Sequence, residues 1–256
     1  KEKVEKGQVT LFDVQFKKQL KELLKVFKEI EAKSSDDLYK VQEKKRQYYE
    51  VFRPKVQPFI DVANIWMSAH FGNTFSVNEY SELQNKLGAP ENEWETLQNQ
   101  DWFSKGIQIA KDNFFFHWQL EFPEVFFGEN QKNPGFDVVI GNPPWERAKL
   151  QENEFFATRD YDIAHAPTAA KRREVIQLLP NNNPELWNAY KQGKEDADSV
   201  LLFFRTSGNY PLMGRGDINY YSIFAEKSLT LLNDTGFCGL VVPSGIATDN
   251  TSKEFL

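Results

Sequence analysis

Four consecutive residues, Asn142, Pro143, Pro144 and Trp145, are the ones in this sequence best suited to chemistry. The side-chain carbonyl of an asparagine accepts hydrogen bonds, and so does a backbone carbonyl. Two successive prolines fix a turn, so the Pro143 carbonyl cannot easily rotate out of the direction it is given. Asn142 and Pro143 can therefore receive the two protons of one planar amine, while the indole of Trp145 offers a flat face for a ring to stack on. The bland alternative is a rigid turn that merely ends a strand. How the four are presented depends on what precedes them. Phe136-Asp137-Val138-Val139-Ile140-Gly141 is an apolar, β-branched run that stops abruptly, which predicts a buried strand ending at the turn. Ligands of open α/β sheets bind outside the carboxyl ends of the strands, so the amide and the indole would project where a substrate sits.

The elements that must position this loop follow it in the chain. Phe237 to Val242 reads as the next strand, and Pro243-Ser244-Gly245 marks its carboxyl end. Asp217 to Leu232, apolar on more than one face, reads as a crossover helix that Asn233-Asp234-Thr235-Gly236 stops. Strand, crossover and strand make a parallel unit, so both carboxyl ends would share one edge. The expected fold class is α/β, part of a doubly wound Rossmann-like sheet preceded by a mainly helical region.

Upstream, Leu20, Leu23, Leu24, Phe27 and Ile30 predict a helix, which Ser34 to Asp37 breaks before a second helix through Leu38, Val41 and Tyr48. Arg53-Pro54 would end this hairpin, Pro58 would open a further helix closed by Gly72, and Ser76 to Glu79 fits a capping box for a short helix ending at Gly88-Ala89-Pro90. Trp66, Trp94, Trp102 and Phe103 read as packing residues, and His70 has no Cys or His pair that would make it a metal ligand. The aromatic crowd from Phe114 to Phe127 predicts a largely buried span in which His117 is a satisfied core histidine. After Trp145 some seventy residues pass before the crossover helix, which marks an insertion. Its Arg147, Lys149, Arg159, Lys171, Arg172 and Arg173 could meet phosphates, and Asn181-Asn182-Asn183-Pro184 breaks it before another helix. The boundaries expected are a helical region over 1–112, the lead-in and strand-loop over 113–147, the insertion over 148–215, and the crossover helix with its strand over 216–256.

With 256 residues and 40% hydrophobic side chains the chain can build a sizeable core. A net charge of -6 argues against an autonomous nucleic-acid binder, so any grip on phosphates must be local. The single cysteine, Cys238, lies in the second strand pattern; it excludes a disulfide framework, favours a cytoplasmic setting and reads as a buried thiol. No apolar run is long enough to cross a bilayer. Lys1 is not an initiator Met and the chain stops just after a strand and turn, so the expectation is an internal piece of a longer polypeptide.

Asp137-Val138-Val139-Ile140-Gly141-Asn142-Pro143-Pro144-Trp145 resembles the catalytic motif of the amino-group S-adenosylmethionine-dependent DNA methyltransferases, specifically the N6-adenine enzymes. Phe116 to Phe126 is similar to the approach to that motif in large modification enzymes of restriction and phage-exclusion systems. Asn219 to Leu229 resembles the helix that follows, and Gly239 to Ser244 the next strand. The likeness covers about residues 113 to 147 and 216 to 256, with its motifs in the family's order. It implies that Asn142 and Pro143 hold the amine of an adenine flipped out of double-stranded DNA, that Pro144 stiffens the turn, and that Trp145 stacks on the base where Tyr or Phe is commoner. It also implies S-adenosylmethionine as cofactor and no metal. Nothing before residue 113 reads as a strand running into a Gly-rich turn, so the main cofactor motif is expected outside this chain, in the remainder of the parent polypeptide, and the piece alone is expected to be inactive. The rivals are an enzyme with the same loop acting on RNA or a protein glutamine, and a non-enzymatic helical interaction module.

Overall fold

Leu20, Leu23, Leu24 and Ile30 bury one side of α1 (Leu11–Glu31), as their spacing predicts. The computed structural model describes residues 11–87, 91–128, 133–249 and 252–255. Contacts divide the chain into two units, Lys1–Phe136 and Asp137–Leu256.

In the first unit Asp37 caps α2 (Leu38–Gln47), its carboxylate accepting from Lys40 N–H at 2.9 Å. The helical path does not end at Arg53-Pro54. A π-helical turn, Tyr48–Phe52, carries it into α3 (Arg53–Ser68), the Arg53 N–H reaching the Tyr48 carbonyl. Pro54 falls in the first turn of α3, where a missing N–H costs least, and Pro58 lies inside the helix instead of opening it. Gly72, at φ 84°, closes the stretch as expected. The capping box of α4 (Val77–Asn85) forms, with Ser76 Oγ accepting from Glu79 N–H at 3.2 Å and Glu79 Oε2 from Ser76 N–H at 2.6 Å. The expected end of this helix, 88–90, lies outside the described residues. α5 (Glu91–Gln98) and α6 (Asp101–Asp112) follow. Phe52, Val56, Ile65, Leu83, Leu97 and Phe103 form the heart of this unit's core. Trp94 joins it and Trp102 packs on its edge, but Trp66 is 43% exposed, edge-on to His70, and is no core residue.

The span from Phe114 to Phe127 is less buried than its composition suggests. Phe114 is 89% exposed and sits in the left-handed region at φ 52°, and Phe116 is also exposed. The remaining aromatics are half-buried: Phe115 precedes α7 (Trp118–Glu121), Phe122 joins it to α8 (Pro123–Phe127), and the others lie on these two helices. Helices this short present no continuous face, so the rings pack on one another: Trp118, Phe122 and Phe126 surround Phe136 edge-on at 5.9, 5.4 and 5.5 Å. His117 is satisfied as expected, Nε2 lying 2.8 Å from Asn64 Oδ1.

The second unit holds the strands, β1 (Phe136–Gly141) and β2 (Leu232–Leu240), paired in one two-stranded sheet. They run parallel: Asn233 Nδ2 donates to Asp137 Oδ1 at their starts (2.7 Å), and Val241 N–H to the Gly141 carbonyl at their ends (3.0 Å). Between them come α9 (Glu152–Phe156), α10 (Tyr161–Ala164), α11 (Ala169–Ile176), α12 (Leu179–Asn182), α13 (Pro184–Thr206) and α14 (Tyr220–Leu231). Asn183 caps α13 at the expected break, accepting from Leu186 N–H at 3.1 Å.

Three expectations need correction here. Asn233 to Gly236 belongs to β2 and is not a turn; the Asn233 amide satisfies itself within the extended chain, accepting from Thr235 N–H at 3.0 Å while bonding Asp137. Nor are the strands buried, since Val138, Ile140, Phe237 and Val241 are 59%, 83%, 75% and 60% exposed. Cys238 is exposed with them. An apolar strand is buried only if a layer packs on its face, and among the described residues the sheet has two strands and open faces. The fold is thus mixed α/β, mostly helical, with a small parallel sheet. No described helix is long and apolar enough to cross a membrane.

Candidate active site

Gly141 ends β1, and the chain leaves the sheet through Asn142, Pro143, Pro144 and Trp145 at the same edge where β2 ends. Asn142 is exposed, and among the described residues its amide makes no intramolecular hydrogen bond. Pro143 is buried while Pro144 is exposed, so the turn is anchored at its first proline. No described group donates to the Pro143 carbonyl. Trp145 is 54% exposed, and its indole N–H donates to the Val241 carbonyl at 3.3 Å. All four predicted site residues therefore stand at the carboxyl edge of the parallel pair, with Asn142 and Trp145 exposed and the Pro143 carbonyl without a described donor.

Directly after this loop the chain pairs antiparallel with the residues that lead into α14. Ala148 N–H donates to the Ile218 carbonyl at 2.9 Å, Tyr220 N–H to the Glu146 carbonyl at 3.0 Å, and Arg147 bridges to Asn219. Asp217 joins both flanks, 3.2 Å from Arg147 and 3.1 Å from Lys149. The segment 148–215 thus leaves and returns at one place. Its own core is built from Phe156, Ile163, Ile176, Leu179, Leu186 and Tyr190. Three of the six cations read as candidates for phosphates have partners inside it. Arg159 lies 4.3 Å over the Phe155 ring and bonds its carbonyl, Arg172 bonds the carbonyls of Ile163 and Ala164, and Lys171 pairs with Glu174 at 2.8 Å.

Two positioning residues escaped the sequence reading. Glu226 is buried on α14 and accepts from Leu212 N–H at 2.9 Å and Met213 N–H at 2.7 Å, which fixes the loop between α13 and α14. The signal was there, since a lone acid on an otherwise apolar helix face must have a partner. Gly214 lets the same loop close, because an added Cβ would run into the carbonyls of Phe204 and Tyr210. Val241 is the other, and it acts through its backbone, which leaves no mark in a sequence. Nearby, burial and the Glu226 charge push the Tyr210 hydroxyl up to about 12, and burial lowers Lys227. Among the described residues no group of acidic side chains, histidines or cysteines could hold a metal ion.

No curated protein and no solved structure matches the chain. The family model described as Eco57I restriction-modification methylase matches residues 59–255, a stretch that takes in both strands, the Asn142–Trp145 loop and all of 148–215. Because that match covers well over half of the sequence and includes every element that presents the loop, the chain belongs to the Eco57I restriction-modification methylase family.

Proposed function

We propose that this chain carries the amine-holding loop of a DNA methyltransferase that modifies adenine at N6. The observation that supports it most is a pair of acceptors without described donors, the exposed Asn142 amide and the Pro143 carbonyl, on successive residues at the end of a parallel strand. The exocyclic amine of adenine is a poor nucleophile, because its lone pair is delocalised into the ring. The Asn142 carbonyl accepts one of its protons and the Pro143 carbonyl the other, which favours a more tetrahedral nitrogen with its lone pair drawn out of the ring. Pro144 keeps the carbonyl from turning away. Trp145 stacks on the base flipped out of the duplex, a contact worth about 1 to 3 kcal/mol by analogy with single-strand binders.

S-adenosylmethionine, the donor that methylases generally use, supplies an electrophilic methyl group when bound. The described residues before β1 include no strand running into a Gly-rich turn, so none of them is assigned to hold it, and each step above concerns the amine alone. We further read the two strands as part of a doubly wound sheet, residues 148–215 as an inserted domain, and the partners as double-stranded DNA and the remaining polypeptide of a cytoplasmic enzyme. The test is Asn142→Ala in the full-length parent polypeptide, which should lower methyl transfer to an adenine-containing duplex by about a hundredfold or more while cofactor binding survives. Near-normal methylation by that variant, or equal activity on RNA, would overturn the reading.

A further inference from the structure

The peptide of Val241 closes the loop at both ends. Its N–H donates to the carbonyl of Gly141, the residue before Asn142, at 3.0 Å. Its carbonyl accepts from the indole N–H of Trp145, the residue after Pro144, at 3.3 Å. Asn142-Pro143-Pro144 is thereby held between two contacts to one residue of the neighbouring strand. The Val241 side chain is 60% exposed, so what it contributes here comes from its backbone. The indole is held by its pyrrole edge while 54% of the residue stays open to solvent, which leaves ring surface for a ligand.

We propose that this N–H···O=C contact fixes the angle of the Trp145 ring before a base arrives, making Val241 a positioning residue and tryptophan, not any aromatic, the residue this loop needs. The inference rests on the reading of Asn142 to Trp145 as the loop that holds a flipped base. Phenylalanine has no donor, and the hydroxyl of tyrosine lies at the far end of its ring. Either would swing about its side-chain torsions and have to be ordered on binding, whereas the tethered indole is already placed. Because the tether acts on base and transition state alike, its loss should appear in KM and leave kcat nearly unchanged.

The experiment replaces Trp145 with β-(3-benzothienyl)alanine, which keeps the fused rings and puts sulfur in place of the N–H. Base capture, read by 2-aminopurine fluorescence at the target position, and KM for the duplex should each worsen by about three- to tenfold, the range for one neutral hydrogen bond. Trp145→Phe should lose at least as much. An isostere that captures and methylates like the parent would overturn the tether and leave the loop reading intact. Loss of the loop reading itself would show as near-normal methylation by Asn142→Ala, and would take the proposal with it. A measurement on the unsubstituted protein needs no variant to fold: the Trp145 indole proton should exchange with solvent more slowly than a free exposed indole, and unprotected exchange would overturn the proposal.

Discussion

His117 precedes α7 with Nε2 2.8 Å from Asn64 Oδ1, and burial lowers its pKa from 6.5 to about 4 against the opposing pull of Glu121. An unfolded chain takes up this proton near pH 6.5, while the folded one refuses it until about pH 4. The neutral histidine therefore adds its full contribution above pH 6.5 and loses it as the pH falls toward 4, by roughly 3 kcal/mol at most. Asp61 and Glu124, both raised by burial, act in the opposite sense and flatten the total. The difference between variants isolates the term: in His117→Gln the drop in urea midpoint from pH 7 to pH 4.5 should shrink, and an unchanged drop would mean that His117 does not titrate with unfolding. Residue types were readable to different depths. His117 among aromatics suggested a satisfied core group, and Asn142 beside two prolines suggested an open acceptor. Cys238 misled, because an apolar neighbourhood in sequence says nothing of whether a layer covers it in space.

Among the elements, those set by local chemistry were the legible ones. Ser76 with Glu79, Asn183 with Pro184, and Gly72 each govern a helix end within one turn, so their residues suffice to place it. Boundaries set by distant partners were not legible. β2 begins at Leu232 because Asn233 bonds Asp137 on β1, and no rule for turn residues anticipates that pairing. Likewise the two flanks of the segment 148–215 meet through backbone groups of Glu146, Ala148, Ile218 and Tyr220, which any side chains would offer. The loop behind that junction depends on a single carboxylate. Glu226→Ala would leave the buried Met213 N–H and the half-buried Leu212 N–H without an acceptor and should cost about 2 to 4 kcal/mol in denaturant unfolding. Glu226→Gln keeps one carbonyl and should cost less than half as much. A stability within about 0.5 kcal/mol of the parent for the alanine variant would show that the loop is held by its packing alone.

At the scale of the molecule, each unit buries a core of its own, and the family match runs across the division between them. Amphipathic spacing made the helical core legible, whereas the open sheet was not, since Val138, Ile140 and Phe237 carry the same pattern whether or not a layer lies over them. That openness governs how the protein behaves as a colloid. Its net charge of -6 keeps copies apart in dilute buffer, and salt screens that repulsion. Sulfate goes further, strengthening contacts between apolar surfaces. Light scattering should therefore rise at a lower ammonium sulfate concentration for this protein than for an Ile140→Lys, Phe237→Thr variant, and coincident curves would show that the strands do not drive association. In a salting-out series the sparsely charged strands, and not the more numerous charged helices, would set the point at which the protein leaves solution.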